Sequence, residues 1–191
     1  FKTRQNLGEL SDRIDGNIYV MRQVNGRWSK PAPLAKTVNS SKDEFYPIAT
    51  QSGNLYFSRI TEDQSYDIFV SCWDGRRYLE AEKLPAHINT ILVESDAYVS
   101  PNEDYIIFVK MYEQGALGVS DLYISYKENG QWGAVEHLGS DVNFEGVDGS
   151  PSISPDQKWL YFTSNREAPE PSKFDAHLGI YRISMGKLIR Q

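Results

Sequence analysis

The 191 residues carry a formal net charge of −6, with 40% hydrophobic and 13% aromatic residues. That is enough apolar mass for a packed core and too acidic a balance for non-specific phosphate binding, which sets aside disorder and nucleic-acid binding. A single cysteine, Cys72, excludes an internal disulfide, and no apolar run approaches the roughly 18–20 residues of a membrane span.

In chain order, Phe1-Lys2-Thr3-Arg4-Gln5 is similar to Phe162-Thr163-Ser164-Asn165-Arg166, so the chain reads as starting inside a strand. The absence of an initial Met and of a signal-like apolar segment reads as a processed or truncated start. Gly16–Val20 (GNIYV) follows, then an Asn25-Gly26 turn, Trp28, Leu34 and Asn39. Tyr46–Arg59 (YPIATQSGNLYFSR) is a hairpin, followed by Asp67–Val70, an Asp74-Gly75 turn, Tyr78, Leu84 and Asn89. Ala97–Lys110 (AYVSPNEDYIIFVK) repeats the hairpin, followed by Asp121–Ile124, Asn129-Gly130, Trp132, Leu138 and Asn143. Ser150–Arg166 (SPSISPDQKWLYFTSNR) says it a third time, and Gly179–Met185 repeats the segment after it. Asn-Gly and Asp-Gly between alternating segments are strong hairpin signals, and Pro-Asp presets a tight turn. Phe57, Phe108 and Phe162 align without a gap and lie 51 and 54 residues apart.

Each unit is therefore four strands, a to d. Strand a holds Tyr46, Tyr98 or Ser152, strand b the landmark Phe, strand c Phe69, Tyr123 or Tyr181, and strand d opens at Trp28, Tyr78 or Trp132. Four strands per period of about 50 residues is the pattern of β-propeller blades. The expected fold is all-β, a single propeller domain over 1–191 with units at 1–45, 46–96, 97–149 and 150–191. The first unit lacks strand a, and Gly186–Gln191 makes a poor strand d or a short helix. We read the four units as part of a larger, five- or six-bladed ring lacking its N-terminal strands, in preference to a four-bladed ring. A β-sandwich would not need repeats this regular.

Ser154–Arg166, with S-P-D-x-K-x-L-Y-F-T-S-N-R, resembles the repeat of TolB-type propellers, a WD-like family of bacterial envelope proteins. The intervening Asn25-Gly26-Arg27-Trp28 and Pro31-Ala32-Pro33-Leu34 are similar to the same repeat, as are Gly130-Gln131-Trp132 and His137-Leu138-Gly139. The sequence departs from the pattern at Gln157, at Gln51-Ser52-Gly53 and at Pro101-Asn102-Glu103. The resemblance covers essentially the whole chain and implies a periplasmic or extracellular binding propeller.

The a–b and c–d turns are short and share one face; the long b–c and d–a loops share the other, where binding is expected. Asp43, Glu94 and Asp148 each fall fourteen residues before the landmark Phe, at the channel mouth. Three carboxylates there could hold calcium or another hard cation, or accept N–H groups of their own loops. Arg59, Lys110 and Arg166 end strand b on that face, where they could bind an anion or pair with the acidic ring, and Tyr46 and Tyr98 could line the mouth. Asn39, Asn89 and Asn143 read as turn formers, and Trp28, Tyr78 and Trp132 as packing between blades. His87, His137 and His177 have no metal spacing and read as structural or solvent-facing; Cys72 reads as buried or inert. No nucleophile elbow or phosphate loop is present. The expected function is non-catalytic: a rigid scaffold presenting the loop-rich face to a protein or peptide partner, without a required cofactor and with oligomeric state left open. The alternatives are glycan or peptide hydrolysis by the channel-mouth carboxylates, and a structural segment of a larger assembly.

Overall fold

Tight turns cut this chain into short antiparallel strands, described in a computed structural model for residues 2–4, 16–168 and 178–188. The first unit has β1 (Lys2–Arg4), β2 (Gly16–Val20), the outlying hairpin β3 (Gln23–Val24) and β4 (Arg27–Trp28), and β5 (Ala32–Pro33). The second has β6 (Glu44–Ala49), β7 (Leu55–Ile60), β8 (Tyr66–Ser71) and β9 (Glu82–Lys83). The third has β10 (Val93–Val99), β11 (Tyr105–Met111), β12 (Ser120–Glu128) and β13 (Gln131–His137). The fourth has β14 (Asp148–Ile153), β15 (Trp159–Ser164), β16 (Gly179–Ser184) and a 3₁₀ turn at Met185–Lys187. The sheets run β1-β2-β5, β6-β7-β8-β9, β10-β11-β12-β13 and β14-β15-β16, and none closes on itself. The pairing of β1 with β2 puts Lys2–Arg4 in the place of a strand b; residues 189–191 lie outside the described residues.

The middle of strand b is apolar because both its faces are covered. Leu55 and Phe57 point back to Ile18 and Val38 of the first unit, while Tyr56 points forward to Ile106, Phe108 and Trp132. One blade on, Ile106 and Phe108 point back and Ile107 and Val109 point forward, to Leu160 and Phe162. The landmark Phe is thus the residue that each sheet sends into the preceding one. Phe57 and Phe108 are fully buried and Phe162 nearly so.

Strand a starts earlier than expected, at Glu44, Val93 and Asp148, because it pairs with strand b up to the loop-rich end. Strand d also differs. Among the described residues, only β13 pairs with strand c from the residue before its aromatic. In the first unit Trp28 stays in the β3–β4 hairpin, and Pro31 and Pro33 withhold the N–H groups a longer strand would need. In the second, Tyr78 makes a lone bridge to Trp73 before β9 begins.

The three repeat asparagines do more than shape turns. Asn39, Asn89 and Asn143 are buried, and their Oδ1 atoms accept the N–H of Ile18, Ile68 and Leu122 at 2.8 Å, each 21 residues earlier. Their Nδ2 atoms donate to the carbonyls of the same three residues. Nδ2 of Asn39 and Asn89 also reaches back to Leu34 and Leu84. One side-chain amide thus continues the ladder where strand d has ended. Replacing Asn89 with Ala leaves the Ile68 N–H buried and unpaired, and should lower unfolding free energy by about 2–3 kcal/mol. Urea denaturation checks this; a loss under about 0.5 kcal/mol would show the lock to be dispensable.

Candidate functional site

The d–a loops deliver three buried carboxylates to the loop-rich end of strand a. Ladder register makes these Glu44, Glu94 and Asp148, which face Arg59, Lys110 and Ser164 on strand b. Asp43 lies one residue ahead, and instead accepts the Gly16 N–H of the first unit. The offset arises at the a–b turn, where five residues (50–54) separate the last ladder pair Ala49–Leu55 but six (100–105 and 154–159) separate Val99–Ile106 and Ile153–Leu160. A gap-free alignment on Phe57 therefore slips by one.

Each carboxylate accepts the N–H four residues earlier: Ser40 to Glu44 at 3.0 Å, Thr90 to Glu94 at 3.0 Å and Phe144 to Asp148 at 2.7 Å. Burial pushes all three above the usual carboxylate range, against these hydrogen bonds and the nearby cations. The cations turn inward as well. Arg59 donates through Nε to Glu44 at 2.8 Å and through an Nη to the Val38 carbonyl at 2.7 Å, and its guanidinium lies 4.5 Å from the Phe69 ring centre. Arg166 reaches Asp148 at 3.3 Å and the Val142 carbonyl, 4.7 Å from the Tyr181 ring centre. Lys110 pairs with Glu113 of its own b–c loop and lies 5.8 Å from the Tyr123 ring centre. Carboxylate, cation and aromatic thus form one inward stack in the second and fourth blades, whereas in the third the cation turns to its own b–c loop. Among the described residues, no three Asp, Glu, His or Cys side chains are placed to hold a metal ion.

Just inside this layer each strand a carries a one-residue bulge. The register shifts fall between Phe45 and Ile48, Ser95 and Tyr98, and Gly149 and Ser152. The bulged residues Tyr46, Asp96 and Ser150 have φ of 49°, 52° and 49°, a left-handed conformation that costs a non-glycine residue roughly 1 kcal/mol. All three line one concavity of about 270 Å³ with Tyr98 and Pro151. The structure therefore brings Tyr46 and Tyr98 together, and adds Asp96 and Ser150. Asp96 accepts the hydroxyls of Tyr46 and of Ser150, the latter at 3.3 Å.

The third blade's loop is held from below by Asp121, which is fully buried. Its carboxylate accepts the N–H of Leu117 at 2.7 Å and of Gly118 at 3.1 Å, and meets His137 Nε2 at 2.8 Å. Gly139 donates its N–H to His137 Nδ1 at 3.1 Å, and Asn143 Nδ2 also lies 2.9 Å from His137 Nε2. A Cβ on Gly118 would sit 2.5 Å from the carbonyl oxygens of Phe144 and Gly146, so only glycine allows the b–c and d–a loops to approach this closely. His87 Nε2 meets the Trp132 carbonyl at 3.0 Å; His177 lies outside the described residues. Trp132 packs edge-on against Tyr56 of the preceding blade and Tyr78 is half-buried, whereas Trp28 is exposed. Cys72 is exposed as well, because the chain leaves the sheet after Ser71.

The turn face, where the sequence predicts no site, holds a dense polar cluster around Glu103. Glu103, with φ of 61° and 8% exposed, accepts from Thr50, Ser52, Asn54 and Tyr56 of the second blade and from Lys127 of its own. Burial would raise its pKa, but Lys127, then Tyr56, Ser52 and Asn54, overcome that and hold it at about 2.

No family model matches the sequence, and no curated protein matches it. Among solved structures, TolB from Acinetobacter baumannii superposes with a TM-score of 0.60 at 14% identity, over 92% of this chain and 37% of that one. The fold is similar to that of a TolB-type propeller. A puromycin-hydrolyzing peptidase of Mycobacterium tuberculosis matches with a TM-score of 0.56 at 15% identity, over 90% of this chain and 28% of that one. The chain spans well under half the length of either structure. The resemblance to TolB-type propellers read in Ser154–Arg166 holds at the level of the fold.

Glu103 gives this TolB-like fold a definite acid response. Its folded pKa is depressed, so its stabilisation is complete above the unfolded value near 4.3 and is lost as pH falls towards 2. Wild type should exceed Glu103→Gln by about 2–3 kcal/mol at pH 7, a difference that closes between pH ~4.5 and ~2. Paired urea melts across that range measure it, and a pH-independent difference would rule out the ionic role.

Proposed function

We propose that this chain is a non-catalytic binding propeller of the bacterial envelope, periplasmic or extracellular, that meets a protein or peptide partner at its loop-rich face. The supporting observation is apolar surface on pinned loops of the third blade. Ile91 on the d–a loop is 90% exposed, and Tyr112 and Leu117 on the b–c loop are 60% and 45% exposed. Leu117 rides on the N–H that Asp121 fixes, and Tyr112 donates its N–H to the Val119 carbonyl at 2.9 Å. Apolar side chains on loops already ordered cost a partner little conformational entropy to dock against. The carboxylates that a hydrolase would need at the channel mouth are instead held by hydrogen bonds within their own blades. Among the described residues no helix is long and apolar enough to cross a membrane.

The paired changes Ile91→Asp and Leu117→Asp should abolish capture of the partner from an envelope extract while leaving thermal unfolding within about 0.5 kcal/mol of wild type. Trp28→Asp, on the c–d hairpin at the other face, serves as the comparison. Capture that survives the loop changes, or that is lost only with Trp28→Asp, would overturn this choice of face.

A further inference from the structure

The concavity between the three bulges is built differently from the rest of the loop-rich end. There the carboxylates are matched by Arg59, Lys110 and Arg166, whereas Asp96 is the one charged side chain lining this concavity. The groups that bind it are neutral: the hydroxyls of Ser95, Ser150 and Tyr46 and the Ser150 N–H. Hydroxyls orient a carboxylate but do not neutralise it. Burial accordingly pushes the Asp96 carboxyl above its usual range in spite of them. Around it stand two aromatic rings, Tyr46, half exposed, and Tyr98, half-buried, with Pro151 and Ile48 completing an apolar wall. The same left-handed bulge recurs in three successive blades and directs Tyr46, Asp96 and Ser150 into one space. A half-buried carboxylate with two tyrosine rings lining the same concavity is complementary to an organic cation, which takes charge from the acid and cation–π contact from the rings.

We propose that this concavity binds an alkylammonium group, with Asp96 taking the charge and Tyr46 and Tyr98 covering the attached methylenes. The ligand chemistry is shared by free aliphatic amines and by lysine side chains presented on a peptide. The site stands on its own geometry and does not depend on the partner face proposed above.

The test is titration of ¹⁵N-labelled protein with n-butylammonium, with n-butanol as the uncharged comparison. The amine should give saturable shifts centred on the amides of Tyr46, Asp96, Tyr98 and Ser150, and n-butanol should not. Asp96→Asn keeps the shape and suits a left-handed backbone, and should weaken amine binding about tenfold or more. Tyr46→Asn, equally compatible with positive φ, removes one ring and should weaken it by a smaller factor. The peptide acetyl-Gly-Lys-Gly-amide forms the second arm. Tighter binding of the peptide than of the amine assigns the site to a lysine side chain, and the reverse order to a free amine; either supports the proposal. Shifts elsewhere on the protein, equal response to n-butanol, or unchanged amine binding in a folded Asp96→Asn variant would overturn it.

Discussion

The buried amides of Asn39, Asn89 and Asn143 hold the loop-rich end of this fold in place. A short strand d leaves the N–H of one strand c residue without a ladder partner, inside the protein, where an unpaired N–H is costly. The asparagine supplies both an acceptor and a donor to that residue, and so anchors the start of the d–a loop. Five residues later a carboxylate on strand a takes up an N–H from the same loop. The strand b cation reaches the carbonyl just before the asparagine in two blades, at Val38 and Val142. The loop is thereby fixed at its beginning, middle and end by buried groups, which leaves its outward side chains free to vary.

The two faces use polar chemistry in different ways. At the loop-rich end, the strand a carboxylates Glu44, Glu94 and Asp148 bond to their own d–a loops and are kept above their usual range by burial. At the turn end, Glu103 joins two blades and is kept strongly acidic. The first arrangement shapes individual loops. The second fastens neighbouring sheets, in addition to the apolar cluster that contains Tyr56, Phe108 and Trp132.

Much of this was legible in the sequence, because periodicity and turn chemistry report on local structure. The blade order and the division into turn and loop faces follow from offsets around Phe57, Phe108 and Phe162. What escaped was register and reach. Alignment on phenylalanine selected Asp43, whereas the spacing of five from each asparagine would have selected Glu44 along with Glu94 and Asp148. The same slip paired Tyr46 with Ala97 and hid Asp96. Glu103 looked like drift in a turn motif, since four of its partners lie about 50 residues upstream and no local pattern announces them. The exposure of Trp28 was equally silent, because an aromatic after an Asn-Gly turn reads alike whether or not a neighbour covers it.

The alternation along strand b also bears on how such an array can grow. Odd and even positions of one strand meet different neighbours: Phe108 and Ile106 serve one contact, Ile107 and Val109 the next. A tandem copy of the whole unit therefore carries both halves of a mating surface, and the new copy fits against its parent without prior adjustment. A copy displaced by a single residue would exchange the two sets and present each neighbour with the wrong side chains. Duplication in whole units is thus the route that preserves packing, whereas the spacers of 51 and 54 residues show that length can still change between landmarks, in the loops.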